Sequence, residues 1–318
     1  DTLIYRRGAD DFLVVVNASN DDKDRTWLES VRDGKVKIDN KYPWARTYGY
    51  DAEIRNLRDP NLGAAQRGDI ALQGPRSRDI LLTMGVSDED RAAIMKLTRT
   101  KLCDATVGGF DLIVSRTGYT GEKMAFELFV HPERAAEFWM AVMKAGEQFG
   151  IKPIGLGARD SLRTEFGLPL YGHEMGLGSG KMGKSDLGVA EGGFGSYVKT
   201  YKPYFIGRDA YIANEKKRKG VVVRFTFTEK GVRMAHNGDP VMDKRGKVIG
   251  WVPSCAADMN GTLTGQAYVP LKFAKKDTPI FIYQSAPKKA GVAPAEMKVG
   301  NKATLPSAAV VVTRFAKL

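Results

Sequence analysis

The last third of the chain is cut into six short apolar runs, at 221–227, 240–242, 247–252, 266–269, 279–283 and 308–314. Runs this short, at such regular spacing, fit strands and suggest a closed barrel or a sandwich. Asp243-Lys244-Arg245-Gly246 stands between the second and third runs and reads as a hairpin turn. The 318 residues exceed one ordinary compact domain, and 43% hydrophobic residues suffice for real cores. Glycine, proline or charge interrupts each apolar stretch before it reaches membrane-spanning length.

A second β unit precedes this region. Residues 110–116 favour a strand. Arg116-Thr117-Gly118-Tyr119-Thr120-Gly121-Glu122 carries two glycines and reads as a turn. Phe126-Glu127-Leu128-Phe129-Val130 reads as the returning strand. Side chains alternate along a strand, so Glu127 projects to the face opposite Phe126 and Leu128. A carboxylate within an apolar strand requires donors or a cation. A surface glutamate on an exposed strand face is the plain alternative.

A helix is expected after Gly155-Leu156-Gly157. Ala158, Leu162 and Phe166 recur at i, i+4 and i+8 and mark its buried stripe. Arg159 and Arg163 share another face, one turn apart. An arginine in the first turn opposes the helix dipole unless an anion or acid meets it. Glu127 or a ligand could be that partner, or the arginines could pair with Asp160 or Glu165. Another helix is expected over 132–149, with Phe138, Trp139, Val142 and Met143 buried and Gly150 as its stop.

Together, Arg116 to Glu122 with Phe126-Glu127-Leu128, and Gly155 to Arg163 ending in Leu170-Tyr171-Gly172, resemble the glycine-cleavage T-protein (aminomethyltransferase) family. Further stretches are similar to it in the same order: Phe12 to Asn20 as an early core strand, Leu72-Gln73-Gly74-Pro75 as a strand-to-helix turn, and Glu191-Gly192-Gly193 through Phe205 to Ala210 as the entry to the last domain. The resemblance implies an α+β, multidomain cloverleaf around a central folate channel. It implies an α+β domain at 1–100 lacking its N-terminal part, a folate-binding domain at 101–212 and a C-terminal β-barrel or sandwich domain at 213–318.

The same resemblance implies tetrahydrofolate-dependent one-carbon transfer, with methylene passing from an aminomethyl-lipoyl carrier to tetrahydrofolate and ammonia released. It also accommodates a tetrahydrofolate-dependent demethylase of a small methylated substrate, or a non-catalytic interaction subunit. Tyr119, Glu127 and Arg159 would hold the pterin, with Tyr5, Asn17 and Tyr171 completing the wall. Asp1 aligns with the catalytic aspartate, so the chain is expected to be part of a longer protein. Its partners would be folate and a small one-carbon donor or a lipoyl carrier protein.

Some local features depart from the family. One extra residue lies between Gly121 and Phe126, the run 96–102 lacks aromatics, and 41–69 is longer. That insertion carries Tyr42, Trp44, Tyr48 and Tyr50 and reads as a surface loop or an added flap.

The net charge is +12, for which general solubility is the first explanation and an anionic folate tail or acidic carrier the second. The run 216–219 reads as a solvated basic linker, and no nucleic-acid motif accompanies it. His131, His173 and His236 show no ligand spacing, so no metal is expected. Ser115, Ser161 and Ser254 lack a nucleophile-elbow setting. The glycine-rich stretch 176–183 lacks phosphate-loop spacing and reads as a flexible loop. Two distant cysteines, Cys103 and Cys255, allow a single disulfide, with a reducing compartment the simpler reading; the expected location is the cytoplasm, or the mitochondrial matrix in a eukaryote.

Overall fold

A computed structural model describes residues 2–38, 41, 52–284, 292–303 and 307–316. Asp1 and the aromatics Tyr42, Trp44, Tyr48 and Tyr50 lie outside the described residues. The chain divides into two compact units, Asp1–Gly118 with Glu122–Pro153, and Tyr119–Gly121 with Ile154–Leu318.

The first unit opens with an antiparallel ribbon, β1 (Leu3–Arg6) and β2 (Phe12–Val15), followed by helix α1 (Asp21–Arg32). No residue of β2 is fully buried, so the expected early core strand is a half-exposed ribbon strand. A four-stranded antiparallel sheet then forms in the order β3-β6-β5-β4, from Gly68–Gln73, Ala125–Val130, Phe110–Ser115 and Leu102–Val107. Helices α2 (Ser77–Thr83) and α3 (Asp88–Lys96) link β3 to β4.

One face of the sheet supplies the core. Leu72, Leu112, Val114, Phe126 and Leu128 pack there with Ile80, Leu81 and Ile94 of the helices and with Phe138 and Val142 of α4 (Ala135–Gly146). Burying each such side chain is worth about 1.5–3 kcal/mol. Short 3-10 turns flank α4 at Pro132–Arg134 and Glu147–Phe149, and Gly150 ends the segment at φ 73°. The expected stripe of α4 is only partly realised: Phe138 and Val142 are buried, whereas Trp139 is 41% exposed. One residue along a helix turns the side chain by about 100°, which carries Trp139 off the face that Phe138 buries.

The second unit is built on a closed, all-antiparallel barrel in the order β10-β7-β12-β11-β8-β9. Its strands are β7 (Gly220–Phe227), β8 (Pro240–Met242), β9 (Val248–Ala257), β10 (Leu263–Pro270), β11 (Pro279–Ile282) and β12 (Ser307–Val312), close to the six expected runs. Phe225, Val241, Val252, Val269, Ile280 and Val311 are among its interior residues. The turn after β8 is the expected one: Asp243 Oδ1 accepts from the backbone N–H of Arg245 and Lys247, and Gly246 takes φ 72°. Helix α5 (Leu156–Glu165) packs on β9 and β10.

Two loop expectations change. Lys216 and Lys217 form the last turn of helix α6 (Arg208–Lys217), where cations favour the helix C-terminus, rather than a linker. The stretch 176–183 is pinned rather than loose. Asp186 Oδ1 accepts from the backbone N–H of Gly178 and Gly180, and the buried Ser179 hydroxyl accepts from Leu187. Both described cysteines are free thiols. Among the described residues no group of side chains could hold a metal ion, and no helix is long and apolar enough to cross a membrane.

Candidate functional site

The expected site residues fall in both units. In the first unit, β6 turns Glu127 away from the helix-packed face, as its alternation requires. Its cross-strand neighbours are Ser115 on β5 and Ala71 on β3. Ser115 is buried and shares a 2.6 Å hydrogen bond with the phenol of Tyr5. Tyr5 is thereby brought beside Glu127, and burial, opposed by the Ser115 hydrogen bond and reinforced by the Glu127 charge, raises its pKa. Arg7 adds a second tie from the ribbon, donating Nη2 to both oxygens of Asp104 at 2.8 and 2.6 Å. Asn17 is half-buried and stands just before the 3-10 turn Ala18–Asn20, its carbonyl accepting from Asn20 N–H.

In the second unit, the turn Tyr119–Gly121 lies along α5. The Arg159 guanidinium sits over the Tyr119 ring, 5.4 Å from its centroid, a cation–π arrangement. Gly121 meets Phe166, the C-cap of α5, so closely that a Cβ would overlap the ring, and its φ is +82°. The turn is therefore clasped at both ends of the helix. Burial pushes the Tyr119 phenol up to about 12, which keeps it neutral and able to donate. Tyr171 bridges to Met175, and its ring fills the space that a side chain at position 176 would need.

Helix α5 departs from the expected stripe. Ala158 is exposed and Leu162 and Phe166 are half-buried, while Arg163 and Thr164 are the buried residues. The arginine partners also separate. Arg159 takes the Tyr119 ring, and Arg163 takes Asp160 at 2.7 Å together with the buried Glu174 at 2.9 Å and Ser254 at 2.7 Å. Glu174 and Ser254 were not expected. They lie 11 and 91 residues from Arg163, and neither apolar periodicity nor a short motif marks such a cluster.

Taken unit by unit, these side chains offer different polar chemistry. A carboxylate can accept from adjacent ring N–H and amine groups, a neutral phenol can donate, and a guanidinium backed by an aromatic ring offers a planar cation.

A family profile described as the GCVT N-terminal domain matches residues 1–179. The chain belongs to the glycine-cleavage T-protein (GCVT) family. Among relatives named aminomethyltransferase, this GCVT chain is 35% identical to that of Desulfitobacterium hafniense over 257 residues, 80% of this chain and 60% of that protein. It is 34% identical to that of Alkaliphilus oremlandii over 286 residues, 89% of this chain and 67% of the relative. A Clostridium botulinum relative is 38% identical over 256 residues, 79% of this chain and 59% of that protein. The GCVT chain thus spans about 60% of the length of the first of these relatives. The crystal structure of glycine cleavage system aminomethyltransferase T from Bartonella henselae superposes with a TM-score of 0.70 at 21% identity, covering 98% of this chain and 70% of that one. That likeness establishes the α+β fold expected from the sequence.

Proposed function

We propose that this chain belongs to a tetrahydrofolate-dependent aminomethyltransferase and carries its folate-binding residues. Arg159 seated over a neutral Tyr119 carries this reading, because these are two of the residues that the family resemblance gives to the pterin. The aminomethyltransferase names of the relatives support it. The division at about residues 100 and 212 and a cytoplasmic location, or the mitochondrial matrix in a eukaryote, belong to the same proposal.

Tetrahydrofolate, when bound, supplies the reduced ring nitrogens that accept the one-carbon unit. Glu127 accepts hydrogen bonds from the N–H edge of the pterin. The neutral Tyr119 phenol donates a hydrogen bond, and Arg159 offers a cation to the ligand. Tyr5, Asn17 and Tyr171 are further folate-binding residues in this reading. Asp1 orients the reacting nitrogens and holds a proton, a role whose loss costs on the order of 10²–10⁴ in rate. A lipoyl carrier protein delivers the aminomethyl group.

Calorimetric titration with 5-formyl-tetrahydrofolate tests the folate reading. A dissociation constant on the order of 1 μM is expected, weakened roughly tenfold or more in Glu127→Ala. Folded protein that binds no folate would overturn the reading.

A further inference from the structure

The polar interior beneath α5 has more directional contacts than packing requires. We propose that Glu174 and Ser254 are positioning residues for folate, acting through Arg163 to fix α5 and with it Arg159 and Tyr119. This inference rests on the folate reading above.

Every nitrogen of the Arg163 guanidinium has an acceptor, and Nε and Nη2 share Asp160 Oδ1. Nε donates to Asp160 Oδ1 at 2.7 Å, Nη1 to Glu174 Oε2 at 2.9 Å and Leu168 O at 3.3 Å, and Nη2 to Ser254 Oγ at 2.7 Å. Ser254 in turn donates to Glu174 Oε1 at 2.5 Å, so both carboxylate oxygens are engaged. Glu174 Oε2 also accepts from the backbone N–H of Leu170 at 2.9 Å, next to Tyr171. His173 Nδ1 stands 3.4 Å from Ser254 Oγ at the margin. A second layer extends the lattice: Gln266 of β10 donates to Leu168 O at 3.0 Å and accepts from Arg314 at 2.7 Å.

Well-packed apolar side chains could fill the same volume without removing charges from water. A planar fork with fixed acceptors adds directional control over the helix that carries it. Arg163 lies one turn after Arg159, so locking its guanidinium onto Ser254 of β9, and onto the Leu168 carbonyl that Gln266 of β10 also holds, sets the rotation of α5 about its own axis. That rotation decides where Arg159 meets the Tyr119 ring and where Phe166 receives Gly121. The charges of Arg163 and Glu174 also act on the Tyr119 phenol, which places the network close to it.

The test compares Ser254→Ala with Thr264→Val in the full chain. Thr264 supplies a buried hydroxyl to Phe225 O at 2.7 Å within the barrel, outside this network. Ser254→Ala is expected to weaken 5-formyl-tetrahydrofolate binding roughly tenfold, the effect of one charge-assisted hydrogen bond, and to speed amide exchange across 156–162. Thr264→Val is expected to lower the melting temperature while leaving affinity and exchange at 156–162 unchanged. Unchanged affinity in Ser254→Ala overturns the proposal, as does an affinity loss that Thr264→Val shares. If wild-type protein binds no folate, the functional reading fails by itself. Exchange then decides the positioning role, and unchanged exchange at 156–162 in Ser254→Ala overturns it.

Discussion

Arg163 and Glu174 form an ion pair at 2.9 Å with side chains 1% and 0% exposed. Neither charge reaches water, so each depends on the other and on the hydroxyl and backbone groups around them. Removing the Glu174 charge leaves the buried Arg163 with only the half-exposed Asp160 as a carboxylate partner among these contacts. Glu174→Gln keeps the shape and is expected to cost about 3–5 kcal/mol, read as a lower urea midpoint with an unchanged denaturant slope.

Gly121 tests the clasp on α5. Alanine there must adopt φ +82° and overlap Phe166. The backbone alone costs about 1–2 kcal/mol, and the collision adds to it. Gly121→Ala should therefore unfold at clearly lower temperature. Combining it with Phe166→Ala should cost less than the two changes added separately, because only the backbone strain remains. Strict additivity in a double-mutant cycle would count against the clasp.

Phe138 and Trp139 are neighbours with opposite environments. Phe138→Ala is expected to cost about 3–5 kcal/mol, because its ring is wholly buried and packs 5.1 Å from that of Phe110. Trp139→Ala should stay within about 0.5 kcal/mol of wild type, the range of surface changes. Denaturant melts of the two variants settle which residue belongs to the core.

Alkaline pH should weaken the fold. Burial pushes the thiols of Cys103 and Cys255 up to about 11 from an ordinary 9.0, and the phenols of Tyr119 and Tyr268 up to about 12 from 10.0. The native state therefore holds protons that the unfolded chain releases, and stability falls as pH rises. The thiol contribution is intact below pH 9 and lost by pH 11, and the phenol contribution is lost between pH 10 and 12. Urea midpoints across this range should decline, and Cys103→Ala with Cys255→Ala should flatten the first part of the decline.

What the sequence made legible followed from short-range pattern. Alternation placed Glu127 opposite Phe126 and Leu128, and the spacing of apolar runs located all six barrel strands. Apolar periodicity misjudged α5, because its two buried residues are an arginine and a threonine. Arg163 tolerates burial only through Glu174 and Ser254, which the fold brings to it from another loop and another strand. Trp139 was misjudged because size and hydrophobicity do not reveal which side of a helix faces the sheet. The glycine-rich stretch 176–183 lacked a visible restraint, since Asp186 holds it from outside the stretch.

The order of strands in the barrel has a consequence during synthesis. Strand β12 is the last of the described strands yet sits between β7 and β11. Until the ribosome has released residues 307–312, both of those neighbours present open edges of unpaired backbone. Closure therefore waits for β12 and depends on contacts more than 80 residues apart. A nascent chain stalled before Ser307 would carry a sticky half-barrel, the state that a chaperone would have to shield.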